Sequence, residues 1–132
     1  MYDMTFTAAH ELAHQRGISR ENEASFVAYL VNSRSDDPYL RYSAALSMYE
    51  YIGNALYRTN KQLYTEINSE LSPLAKGDIS ASYEVSKKYG DTFINDISTF
   101  INDLFLKSNG TAGVVTYGRV VTLTVAYYES LK

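Results

Sequence analysis

Two histidines and a glutamate near the start of the chain have the spacing of a metal-binding helix. Residues 10–14 are His-Glu-Leu-Ala-His, and the chain contains only these two histidines. If residues 5–16 are helical, His10 and His14 lie one turn apart on one face, where both imidazoles can bind the same metal ion. Glu11 projects beside that position, where a carboxylate can accept a proton from water. The pattern therefore predicts a zinc site with Glu11 as a general base.

The two histidines need a further ligand, because catalytic zinc usually has three protein ligands and keeps a fourth position for water. Glu21 and Glu23 follow shortly after Gly17, which is well placed to end the first helix in the left-handed conformation. Both glutamates would also lie in the first turn of a second helix, where the helix dipole alone favours a carboxylate. The spacing leaves either glutamate open as the ligand. A chance match of this short motif on an ordinary amphipathic helix is the alternative.

Composition limits the class of protein. The chain has 132 residues, a formal net charge of −3 and a pI near 5.3, which suits one helical domain over residues 1–132. Scattered Lys and Arg residues argue against nucleic-acid binding, and the absence of cysteine excludes thiolate ligands. No apolar run approaches the roughly 20 residues that span a bilayer, and no signal peptide is visible. We therefore expect this chain to be soluble.

Apolar residues recur at helical spacing along almost the whole chain, which predicts an all-α fold. We expect helices over residues 5–16, 20–33, 38–58, 60–71, 93–105 and 117–131, and one from Asp78 or Ser80 to Tyr89. Ser19 and Asp37 are the expected N-caps of the second and third helices. Residues 76–78 are expected to form a turn. A two-stranded hairpin is the alternative for residues 114–125, because Val and Thr favour strands.

The same spacing predicts which side chains are buried. The expected apolar faces of the first two helices contain Phe6, Ala9, Leu12, Ala13, Ala24, Val27, Ala28, Leu30 and Val31. The 13 tyrosines are expected mainly in the core and at its rim, since the ring is apolar and the hydroxyl is polar. A tyrosine could also stabilise an oxyanion in amide hydrolysis, but the sequence does not select one.

The metal-binding stretch and the C-terminal part resemble a known bacterial family. The similarity lies in residues 7–18, 20–24 and 26–30, and again in residues 102–110, 113–114 and 117–121. The family is of unknown function, and its members are regarded as membrane-attached zinc peptidases of the gluzincin type. The resemblance implies N-terminal membrane helices followed by a zinc-binding domain. This chain would then be the C-terminal part of a longer, membrane-associated bacterial protein.

The gluzincin resemblance implies a role for each residue of the motif. His10 and His14 match the two zinc histidines, and Glu11 matches the general base. The third ligand of that motif falls at Glu21, with Glu23 as the second choice. These roles predict zinc-dependent hydrolysis of a peptide or protein substrate.

The sequence also departs from the gluzincin pattern. Ser25 stands where many gluzincins have an Asp or Asn that orients a ligand histidine, although a hydroxyl can also orient an imidazole. The interval from His14 to Glu21 is short and closer to that of metzincins, whose third ligand would fall at Arg20. Zinc peptidases also have a strand before the HExxH helix, and none is predicted here. A non-catalytic helical module of a membrane protein, either metal-stabilised or serving interactions, is therefore the alternative.

Overall fold

The computed structural model describes residues 1–89 and 113–132, and these two stretches contain α-helices and no strand. The helices are α1 (Met4–Gln15), α2 (Glu21–Ser33), α3 (Pro38–Thr59), α4 (Lys61–Glu70), α5 (Pro73–Tyr89) and α6 (Gly113–Ser130). The predicted all-α class is confirmed for this part of the chain. The helix predicted over residues 93–105 lies outside the described residues. Within these stretches, no helix combines the length and the hydropathy that crossing a bilayer requires.

A tight turn ends α1 and folds α2 back against it. Gly17 has a φ of +94°, so its predicted left-handed conformation is confirmed. The N–H of Ile18 donates to the carbonyl of Ala13 at 3.1 Å, and the N–H of Gly17 donates to that of His14 at 3.0 Å. These two bonds define the Schellman ending of a helix.

The start of α2 differs from the prediction. α2 begins at Glu21, Arg20 occupies the N-cap position, and no side chain caps the helix. The predicted cap by Ser19 is therefore wrong. The turn after α1 continues through Ile18, and the backbone then becomes extended at Arg20, with φ −88° and ψ 128°. Ser19 consequently lies one residue before the position from which a cap could act.

The contact between α1 and α2 is more polar than predicted. The buried residues of α2 are Ala24, Ser25, Ala28, Tyr29 and Asn32. Val31, predicted to be buried, is 60% exposed. Leu12 is also exposed, because it lies about 120° around α1 from the buried Phe6. The amide of Asn32 donates to the carbonyl of Thr5 at 3.2 Å, which satisfies this buried polar group.

The main core lies between α1, α2, α3 and α6. Its buried side chains are Phe6, Ala28, Tyr29, Ala44, Met48 and Val120. The helical prediction for the C-terminal segment is confirmed, and the hairpin alternative over residues 114–125 is wrong. Val120 is 1% exposed, and the Thr124 hydroxyl donates to the Val120 carbonyl at 2.9 Å. Burial and this internal hydrogen bond outweigh the preference of both residue types for strands.

Side-chain caps define the starts of α3 and α4. The Asp37 carboxylate accepts from the N–H of Tyr39 at 2.8 Å, with Pro38 at the first helical position. The predicted cap of α3 is therefore confirmed. Asn60 caps α4 in the same way, accepting from the N–H of Leu63 at 3.0 Å. These caps fix where the chain turns between α2, α3 and α4.

α5 begins earlier than predicted. It starts at Pro73, so the expected turn over residues 76–78 and the expected start at Asp78 or Ser80 are wrong. The Ser72 hydroxyl accepts from the N–H of Ala75 at 3.2 Å, which begins the helix ahead of the glycine. Gly77 then lies inside a helix, where it costs only about 1 kcal/mol relative to alanine. The energetic cost of one glycine is too small to stop a helix that is already capped.

Candidate metal centre

The side chains of His10, His14 and Glu21 meet where α1 contacts α2. His10 Nε2 lies 3.0 Å from Glu21 Oε2, and His14 Nε2 lies 3.3 Å from Glu21 Oε1. The two Nε2 atoms are 3.0 Å apart, and the rings are edge to face with centroids 4.6 Å apart. The structure therefore brings together the two histidines and the first choice for the third ligand.

The other two glutamates of the predicted site lie outside this group. Glu23 forms an ion pair with Arg20, with 3.2 Å between its Oε1 and the guanidinium Nη1. Glu11 is partly exposed on α1 between the histidines, about 60° around the helix from His14. Within the part of the chain that the structure describes, the metal-ligand group comprises His10, His14 and Glu21 only. Glu11 therefore lies beside the donor group without belonging to it.

The turn after α1 orients His14. Its Nδ1 lies 2.7 Å from the carbonyl oxygen of Ile18. Because a carbonyl can only accept, Nδ1 carries the proton and donates it. In the neutral imidazole, Nε2 is then an unprotonated acceptor that faces His10 and Glu21. Gly17 contributes to the site indirectly, since its positive φ sets the path of the chain to this carbonyl.

His10 is oriented by side chains from two other helices. Its Nδ1 lies 3.0 Å from the hydroxyl oxygen of Ser25, which is 3% exposed. The hydroxyl of Tyr51 on α3 lies 3.5 Å from the same oxygen. Ser25 follows Glu21 by one helical turn, so α2 supplies both a candidate ligand and a group that orients another. The sequence pattern indicated Ser25 but gave no signal for Tyr51.

The charge of the cluster favours a cation at its centre. The hydrogen bond with His10 lowers the pKa of Glu21 below its ordinary value, against the opposing effect of burial. In this hydrogen bond Nε2 of His10 donates to the ionised carboxylate, and Nε2 of His14 faces the same proton as an acceptor. Such a group is stabilised only when a positive charge, either a proton or a metal ion, lies between its members.

The donor atoms also have the spacing that a zinc site needs. Ligand atoms about 2.1 Å from a tetrahedral ion are about 3.4 Å apart. The two Nε2 atoms are 3.0 Å apart, and they lie 3.0 and 3.3 Å from different oxygens of Glu21. With one ligand atom from each residue, all three atoms lie within 4.8 Å of one another. Two imidazoles and one carboxylate form a donor set found at catalytic zinc sites with three protein ligands. The side chain of Glu21 is 38% exposed, so water can reach the group from its side.

Comparison with known proteins relates the chain to a family without indicating an activity. A family model described as "Protein of unknown function (DUF3810)" matches residues 1–125. Searches of curated proteins and of solved structures found no match. The matched range contains the whole candidate metal centre.

Proposed function

We propose that this chain, which belongs to the family described as "Protein of unknown function (DUF3810)", is a zinc-dependent peptidase domain. His10, His14 and Glu21 would hold the metal ion. The proposal depends on one observation, which is that two imidazole nitrogens and a carboxylate from adjacent helices converge so that one ligand atom from each lies within 4.8 Å of the others. When bound, zinc supplies a Lewis acid and lowers the pKa of water towards about 7. The substrate would be a peptide or protein.

The number of donors favours a catalytic site over a purely structural one. Structural zinc sites are closed by four protein ligands, whereas catalytic sites have three and leave a position open. Among the described residues, no fourth His, Cys, Asp or Glu joins His10, His14 and Glu21. The partial exposure of Glu21 supports access of water and substrate to the open side of the group.

Glu11 is proposed as the general base. Its carboxylate projects from the same helix as both histidines and is not one of the three grouped donors. It would accept a proton from the attacking water and then transfer that proton to the departing amine nitrogen. The peptide bond would thereby be hydrolysed to a carboxylate and an amine.

Replacing Glu11 with glutamine separates metal binding from hydrolysis. Glu11→Gln keeps the shape of the side chain but removes its capacity to accept a proton. We expect this variant to retain zinc, measured by elemental analysis of the purified chain, and to lose activity on fluorogenic peptides about 10²- to 10⁴-fold. Glu23→Gln is the matched control, because Glu23 pairs with Arg20 outside the cluster, and both properties should be unchanged. Undiminished cleavage by Glu11→Gln would refute the assignment.

A metal-stabilised module without activity is the second candidate. Two observations favour it. The three donors join α1 to α2, so a metal ion would cross-link the helical hairpin. The described stretches also contain no strand along which an extended peptide could bind. Zinc at 100 times its Kd would then raise the free energy of unfolding by about 2.7 kcal/mol. Zinc binding and a chelator-sensitive Tm, without hydrolysis of any peptide, would identify this case.

The location of the full-length protein follows from the resemblance of the sequence to membrane-attached peptidases. We propose that this domain follows N-terminal membrane helices in a bacterial, membrane-associated protein. Fractionation of cells that express the full-length protein tests this proposal. Recovery of the full-length protein only from the soluble fraction would contradict it.

A further inference from the structure

We propose that Tyr51 of α3 is a positioning residue for the metal site and acts through Ser25 on the imidazole of His10. This inference rests on the proposed metal binding by His10, His14 and Glu21. Tyr51 lies on α3, 26 residues beyond Ser25 in the chain, so it extends the site from two helices to three.

Metal binding requires a particular tautomer of each histidine. A neutral imidazole that binds an ion through Nε2 must carry its proton on Nδ1. His14 meets this requirement because Nδ1 faces the carbonyl of Ile18, which can only accept a hydrogen bond. His10 faces the hydroxyl of Ser25, which can either donate or accept. If Ser25 donated to Nδ1, the proton of His10 would lie on Nε2 and block the ion.

Tyr51 provides a second partner for Ser25, to which the Ser25 hydroxyl can donate while it accepts from His10. The Ser25 hydroxyl can donate to the hydroxyl oxygen of Tyr51, 3.5 Å away, and its lone pairs then accept from Nδ1–H of His10 at 3.0 Å. Ser25 is 3% exposed, so solvent cannot readily replace this partner. The ring of Tyr51 packs beside that of Phe6, with centroids 6.2 Å apart, which holds the hydroxyl near Ser25. When Ser25 donates to Tyr51 in this way, the hydrogen-bonded series His10, Ser25, Tyr51 favours the tautomer of His10 that can bind metal.

The two distances predict the relative size of the effects. Loss of a group that directly orients a ligand histidine weakens metal binding about 10- to 100-fold, which we expect for Ser25→Ala. The contact between Ser25 and Tyr51 is longer than an ordinary O–H···O bond, so its contribution is smaller. For Tyr51→Phe we expect zinc binding to weaken about 3- to 10-fold, the range of a modest net hydrogen bond.

A double-mutant cycle tests whether Tyr51 acts through Ser25. The zinc Kd is measured by competition with a chromophoric chelator for the whole chain, for Ser25→Ala, for Tyr51→Phe and for the double variant. Tyr51→Phe should weaken binding when Ser25 is present and have no effect in the Ser25→Ala background. Tyr57→Phe is the matched control, because Tyr57 lies on the same helix with its ring against Tyr64. This control should leave the Kd unchanged.

Two further measurements separate positioning from a general structural role. The Tm of the metal-free chain should fall only slightly in Tyr51→Phe, because no core volume is removed and Ser25 can donate to Nδ1 of His10 instead, and it should be unchanged in Tyr57→Phe. The visible absorption of the cobalt-loaded chain should change in Tyr51→Phe only. If Ser25→Ala fails to fold, these comparisons between the two tyrosine variants decide the question.

The possible failures are distinguishable. If the wild-type chain binds neither zinc nor cobalt, the proposed function fails and this inference fails with it. If the wild-type chain binds zinc but Tyr51→Phe leaves the Kd unchanged, only the inference is overturned. An equal loss with and without Ser25 would also overturn it, because Tyr51 would then act by another route.

Discussion

Replacing Gly17 with alanine tests whether the turn between α1 and α2 sets the geometry of the metal site. Gly17 has a φ of +94°, which L residues rarely adopt, and a Cβ built there meets no atom within 4 Å. The cost of Gly17→Ala is therefore conformational strain alone, about 1–2 kcal/mol. The turn also positions the Ile18 carbonyl that accepts from His14 at 2.7 Å. We therefore expect zinc binding to weaken about 10-fold as well.

Gly77→Ala is the control for this experiment. Gly77 lies inside α5, has no positive φ, and a Cβ there also meets no atom within 4 Å. The same substitution should therefore raise the free energy of unfolding by about 0.5–1 kcal/mol. Urea denaturation with chelator present gives both free energies, and chelator competition gives the zinc Kd. Gly77→Ala should leave the zinc Kd unchanged. If Gly17→Ala also leaves the zinc Kd unchanged, or if it stabilises the chain, the reasoning about the turn is wrong.

Two predictions concern stability away from the metal site. Burial and a hydrogen bond to Asp78 raise the pKa of Tyr42 from 10.0 to about 12. The contribution of the protonated Tyr42 to the free energy of unfolding is therefore complete below pH 10.0 and is lost as the pH rises towards 12. Tyr42→Phe should lessen the alkaline decline in free energy of unfolding, and an unchanged decline would contradict this. Asn32→Ala removes the buried bond to the Thr5 carbonyl and should cost about 1–3 kcal/mol. Asn54 is exposed on α3, so Asn54→Ala should cost under about 0.5 kcal/mol. Equal losses of free energy of unfolding for the two variants, measured by urea denaturation, would show that burial of Asn32 is not the cause.

Local interactions made much of the fold predictable from the sequence. The cap at Asp37 depends on hydrogen bonds between residues two positions apart, and the turn at Gly17 depends on the freedom of one glycine. The all-α class follows from the recurrence of apolar residues every three or four positions. Each of these features is determined by near neighbours in the chain.

The errors occurred where a neighbouring helix or a longer segment decides the outcome. Val31 lies at helical spacing from other apolar residues, yet it is exposed because α2 turns Asn32 and Ser25 towards its neighbours. The glycine at position 77 was expected to mark a turn, but a helix that Ser72 has already begun continues through it. Spacing alone cannot show which face of a helix meets another element.

The candidate site combines both kinds of determinant. Its three donors lie between residues 10 and 21, and one short turn fixes their relation, so the sequence was sufficient to nominate them. The group that would select the tautomer of His10 comes from α3, and the sequence offered 13 tyrosines without distinguishing Tyr51. A peptide of α1 and α2 alone would therefore contain every proposed ligand but lack this group. Metal affinity should accordingly depend on how α3 packs against the hairpin, which the double-mutant cycle at Ser25 and Tyr51 measures directly.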